Sequence, residues 1–81
     1  MRVIRELLVQ DCRVTIFAWN NRYIIKMERG PYEQTFKVDQ FDIVDEAEVI
    51  ALLDAEFVQQ ALDRFTGMGQ SLHEAKNRTL D

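Results

Sequence analysis

The stretch that decides the fold reads RVTIFAWNNRYIIKMER, from Arg13 to Arg29. It alternates apolar and polar residues on both sides of Asn20-Asn21. Asparagine tolerates the left-handed backbone that a tight two-residue hairpin turn demands. The pair therefore predicts a reversal in which Ala18 faces Tyr23, Ile16 faces Ile25 and Val14 faces Met27. That face is wholly apolar and is expected to be core. The opposite face sets Thr15 against Lys26 and Arg13 against Glu28, as a solvated surface should. It also carries Phe17 opposite Ile24, with Trp19 beside them. An apolar cluster on the wet side of a sheet requires a functional account.

Working outward, the second strand of this hairpin ends at Gly30-Pro31, where glycine supplies an unusual backbone angle and proline stops a paired strand. A third strand follows from Tyr32 to Val38. A two-residue turn would put Phe36 opposite Ile25 and Val38 opposite Tyr23, at the cost of setting Glu33 against Glu28. A register shifted by two would pair Glu33 with Lys26 instead. Upstream, residues 2–10 are expected to be extended and to join the sheet edge, with Asp11 marking the turn into the hairpin. Downstream, the apolar period changes. Asp45 stands three residues before Glu48, as in a capping box, and residues 46–53 read as a short helix. Asp54 then caps a second helix whose stripe runs Phe57, Val58, Ala61, Leu62, Phe65, Met68, Leu72, Ala75.

The expected fold is α+β: an antiparallel meander of three strands, four if the N-terminus joins, followed by one short and one long C-terminal helix packed on one sheet face. Residues 1–81 form a single domain, with 77–81 as a frayed tail. The expected core is Val14, Ile16, Tyr23, Ile25, Met27, Phe36, Val38, Val49, Leu52, Leu53, Val58, Leu62 and Phe65. Gly67 and Gly69 predict a kink or break in the long helix. If it continues to Arg78 it is about 36 Å long, against roughly 30 Å for a compact domain of this size. Met68, Leu72 and Ala75 would then need a cover. That length argument makes them a candidate dimerisation element.

Composition excludes several chemistries. Cys12 is the only cysteine, so no disulfide forms within the chain; it reads as a small apolar filler in a reducing compartment. Glu6 interrupts the apolar N-terminal run, so no secretory leader is expected. No stretch approaches the ~20 apolar residues of a membrane span, and the expected location is cytoplasmic. The net charge of −4 is uneven: residues 1–37 hold seven Lys/Arg and four Asp/Glu, residues 38–81 three against ten. This fits a solvated helical surface attracted to its sheet, or steering of a partner.

One histidine, His73, and one cysteine leave no zinc ligand set. The series Asp39, Asp42, Asp45, Glu46 lacks the spacing of a calcium loop and reads as capping and solvated surface. Ser71 and His73, two apart on a helix, cannot face each other. Gly67-Met68-Gly69 follows a helix rather than a strand, the wrong context for a phosphate loop. A chain this small offers little room for the ~300 Å³ pocket of a small-molecule site. No metal, cofactor or enzymatic activity is expected.

The outer cluster of Phe17, Trp19 and Ile24, rimmed by Arg13, Arg22, Lys26 and Lys37, has three readings. Either end of the chain could cover it. A second copy or another protein could cover it, since aromatics and arginine are favoured at interface centres. Or the aromatics could stack nucleobases while the cations follow a phosphate backbone. Strands followed by a C-terminal helix, with aromatic and basic residues on the free face, are similar in outline to the repeats of PUR-type single-strand-binding proteins. That likeness of element order implies a helix-mediated dimer and carries over no individual residue. The favoured expectation is a small non-catalytic intracellular protein-interaction module, self-associating as a homodimer. Its candidate partner-binding residues are Phe17, Trp19, Arg22, Ile24 and Lys26. Single-stranded nucleic-acid binding is the alternative.

Overall fold

In a computed structural model, which describes residues 1–80, four eight-residue strands are joined by three two-residue reversals. They are β1 (Arg2–Val9), β2 (Cys12–Trp19), β3 (Arg22–Arg29) and β4 (Tyr32–Asp39), paired antiparallel in chain order. The Asn20-Asn21 turn has φ of 55° and 63°, and Gln10-Asp11 has 46° and 66°. Positive φ at both central residues lets the turn twist match that of its strands. At Gly30-Pro31 only the glycine is left-handed, at 59°, because the proline ring fixes the opposite sign.

The β2–β3 register is the expected one, with Ile16 opposite Ile25 and Phe17 opposite Ile24. β1 supplies the fourth strand, with one irregularity between Val3 and Arg5. In the β3–β4 hairpin the two-residue turn prevails: Phe36 faces Ile25 and Glu33 faces Glu28. The like charges are tolerated because Lys26 Nζ lies 3.9 Å from the Glu28 carboxylate and 3.7 Å from that of Glu33. The lysine reaches Glu33 along the diagonal, so the shifted register is not needed for that attraction.

A 3₁₀ turn, Gln40–Asp42, leads to helix α1 (Glu46–Ala51) and helix α2 (Ala55–Thr79). The Gln40 N–H donates to the Asn21 carbonyl at 3.1 Å, tying this turn to the central hairpin. Asp39, Asp45 and Asp54 each accept a backbone N–H at a helix start, from Phe41, Glu48 and Phe57 respectively. Glu48 in return accepts from the Val44 N–H at 2.9 Å. Much of the acidic series is thus spent on free N–H groups at helix starts.

Both helices pack on the Val14–Ile16–Ile25–Met27 face. Cys12, Val14, Ile16, Met27, Val49 and Ala61 are fully buried; Tyr23, Ile25, Val58, Leu62 and Phe65 nearly so. Phe36, Val38 and Leu53 are half-buried against them. Leu52 is a correction: it is exposed. α1 closes early with tight bonds from Leu52 N–H to Val49 and Leu53 N–H to Ile50, which turns Leu53 rather than Leu52 inward.

α2 runs unbroken through Gly67 and Gly69, so the expected break does not occur. Phe65 and Met68 are held against the core, and an established helix extends by one hydrogen bond per residue without a new nucleation cost. A Cβ at Gly69 would sit 3.4 Å from the Tyr32 hydroxyl, so the Tyr32 ring of β4 rests against the helix at this glycine. Residues 77–79, expected in a frayed tail, form the last helical turn; Asp81 of that tail lies outside the described residues. The helix, about 37 Å long, overruns strands of about 27 Å. The molecule is accordingly elongated, 51 × 25 × 19 Å, with a radius of gyration of 15.0 Å against about 12 Å for a compact chain of this length. Among the described residues no helix is long and apolar enough to cross a membrane.

Asn20→Val forces a β-branched residue to a φ of 55° and should lower the unfolding free energy by about 1–2 kcal/mol. Gly67→Ala, where the added methyl meets nothing within 4 Å, should raise it by about 0.5–1 kcal/mol. Urea unfolding measures both.

Candidate functional site

The register of the four strands assembles the outer face row by row. Val3, Phe17, Ile24 and Lys37 form one cross-sheet row, with Trp19, Arg22 and Asp39 beside it toward the Asn20-Asn21 turn. Phe17 and Ile24 are half-buried by their neighbours, while Trp19 and Val3 remain 52 % and 55 % exposed. The expectation that an end of the chain covers this cluster is not met. The N-terminus is an edge strand of the same sheet, and α2 lies on the opposite face. Val3 joins the cluster unannounced, because the apolar pattern of residues 2–10 leaves its facing open.

The other half of this face is charged, and two of its cations are paired. Arg13 Nε lies 3.5 Å from the Glu6 carboxylate, and Lys26 sits between Glu28 and Glu33. Arg22 stands cross-strand from Asp39. Of the expected rim cations, neither Arg22 nor Lys37 has a carboxylate within ion-pair distance among the described residues. Thr15, expected on a solvated surface, is buried between its cross-strand partners Glu6 and Lys26. Its short side chain on a central strand lies below the longer ones around it.

The candidate dimerisation residues lie at the other end of the molecule. Met68 still packs against the core, Ala75 is half-exposed, and Leu72 is 43 % exposed. Between α2 and β4 runs an open groove of about 740 Å³ lined by Tyr32, Gln34, Arg64, Gly67, Met68, Ser71 and Leu72. Its size exceeds what so short a chain is expected to offer, although it is a surface groove rather than an enclosed pocket. A polar tie holds its wall. Arg64 Nε donates to Gln34 Oε1 at 2.9 Å, Gln34 Nε2 donates to the Ala61 carbonyl at 2.9 Å, and the guanidinium lies 5.8 Å from the Phe36 ring centre. Phe36 in turn packs on Phe57 with ring centres 5.1 Å apart.

Two further exposed apolar residues escape sequence reasoning, Phe41 at 90 % and Val44 at 88 %. They look like a strand-to-helix crossing segment, yet the Asp39 and Asp45 caps hold the backbone so that both face water. The available signal is that each is bracketed by aspartates. Exposure of this kind leaves the chain with 5789 Å² of accessible surface, where about 5,000 Å² is usual for its mass.

The reactive residue types are not brought together. Ser71 and His73 lie on different faces of α2, and His73 Nε2 is 3.3 Å from the Asn77 amide nitrogen. Among the described residues no three His, Cys, Asp or Glu side chains cluster as metal ligands. Cys12 is fully buried, and burial pushes its thiol pKa up, opposed only in part by Arg29 and a backbone hydrogen bond at Glu28.

A raised folded pKa means that the native state holds the thiol proton more tightly than the unfolded chain. Stability from this group is therefore present at neutral pH and lost as pH rises past ~8.5. Cys12→Ala should flatten that part of the alkaline stability profile, as urea unfolding between pH 7 and 10 would measure; thiol labelling of the wild type should require unfolding. No protein-family model, curated protein or solved structure matches the chain.

Proposed function

We propose that this chain is a small non-catalytic protein-interaction module that self-associates. Phe17, Trp19, Arg22, Ile24 and Lys26 form its partner-binding surface, and Met68, Leu72 and Ala75 its self-association element. The observation that carries this reading is the outer-face cluster, which lies on a sheet whose helices both pack on the other side. Contiguous apolar surface on a small monomer marks an interaction site. Aromatic side chains beside an arginine have the composition of an interface centre.

The charge arrangement favours protein over nucleic acid as the partner. Phosphate binding draws on unpaired cations, and here Arg13 and Lys26 are already matched by carboxylates on the same face. The exposed part of the α2 stripe supports self-association, because Leu72 continues an apolar line that its own sheet is too short to cover.

Sedimentation over a concentration series should show a mass above that of the monomer. Leu72→Asp, on an exposed helical face, should weaken association about tenfold with little change in the urea midpoint. A monomer at every concentration would overturn self-association. Trp19 is the only tryptophan, so its fluorescence reports directly on the outer face. Single-stranded oligonucleotides should leave it unquenched; quenching that weakens steeply with salt would select the nucleic-acid alternative.

A further inference from the structure

The two edges of the sheet differ. β1 is interrupted between Val3 and Arg5, and such irregularities blunt an edge against further pairing. β4 pairs with β3 over all eight residues without a shift, and proline stands only before it, at position 31. In an antiparallel ladder alternate residues point their N–H and C=O toward one neighbour. The two-residue turn makes Arg29 and Tyr32 a hydrogen-bonded pair, so Gln34, Phe36 and Val38 also bond toward β3. Glu33, Thr35 and Lys37 then direct their backbone groups outward. Among the described residues none of the backbone hydrogen bonds outside the ladder uses them, and all three residues are exposed.

We propose that β4 pairs antiparallel with β4 of a second copy about a two-fold axis at Thr35, joining the two sheets into one. This rests on the self-association reading above and names its geometry. Charge selects the register. With the axis at Thr35, Glu33 of each copy faces Lys37 of the other, and the two threonines face each other; both are favourable cross-strand pairs. An axis at Phe36 would set Glu33 against Asp39, one at Glu33 or Lys37 would set that charge against itself, and one at Gln34 would set Glu33 against Thr35 and leave Lys37 with no carboxylate opposite. Lys37, without an ion-pair partner among the described residues, gains one.

The same axis places Tyr32 beside Val38 of the second copy. It thereby brings the Phe41–Val44 segment of that copy toward the groove along α2. The two surfaces are complementary. Phe41 and Val44 are apolar side chains bracketed by Asp39, Asp42 and Asp45. The groove offers Met68 and Leu72 beside Arg64, and α2 continues to Lys76 and Arg78. Two-fold symmetry makes this contact twice, so the assembly closes as a dimer.

The test is charge exchange, read by sedimentation of the full chain with circular dichroism as a check on folding. Glu33→Lys and Lys37→Glu should each raise the dimer dissociation constant about tenfold, since each replaces two attractive pairs with two repulsive ones. Mixing the two variants, or combining both changes in one chain, should restore association. Thr35→Pro, which loses only an outward N–H, should give a folded monomer, and it serves if either charge variant fails to fold. A wild-type dimer indifferent to these changes would overturn β4 pairing while leaving self-association standing. Loss of association that neither mixing nor the double change restores would overturn the Thr35 axis. A wild-type monomer throughout would remove both readings.

Discussion

Left-handed backbone at Asn20 and Asn21, repeated at Gln10-Asp11 and in half at Gly30, is the constraint on which the molecule depends. A two-residue reversal leaves no freedom in register, and register decides which side chains meet the helices. Because strand side chains alternate, a slip of one residue would send Val14, Ile16, Ile25 and Met27 into water and bring Arg13, Lys26 and Glu28 inward. The cost of that exchange far exceeds any local preference. The Glu28–Glu33 juxtaposition shows the hierarchy: turn geometry prevails over one unfavourable pair, and Lys26 compensates from the diagonal.

The central hairpin was legible because two independent signals agree there, the turn residues and the period-two pattern. The meander, the helix order and the aspartate caps followed for the same reason. Less was legible where only one signal existed. Nothing local at Gly67 or Gly69 reveals that tertiary packing of Phe65 and Met68 carries the helix through. The facing of Leu52 depends on how tightly α1 closes, a matter of one hydrogen bond. Val3 was hidden by an irregularity in an apolar run. The outer cluster itself could be read from Phe17, Trp19 and Ile24. Its lack of cover could not, because that depends on where both ends of the chain go.

The charge split between the halves resolves into local duties rather than one large dipole. Aspartates in the acidic half close the starts of the 3₁₀ turn, α1 and α2. Glu46 reaches Arg2 of the edge strand at 2.6 Å, an exposed pair that ties α1 to the sheet. Exposed pairs of this kind contribute little to stability. Adhesion between sheet and helices must therefore come from apolar burial along β2, β3 and the first half of α2, which leaves the second half of α2 held mainly by its own hydrogen bonds.

The strands lie in the sheet in the order in which they occur in the chain. Every strand finds its neighbour across a loop of two residues, and no strand waits for a distant segment before it can pair. Loop closure, the slow and entropically expensive step for most β-rich chains, is here reduced to a succession of short events. Pairing can therefore begin at any of its three bends, each within a stretch of chain that is local in sequence.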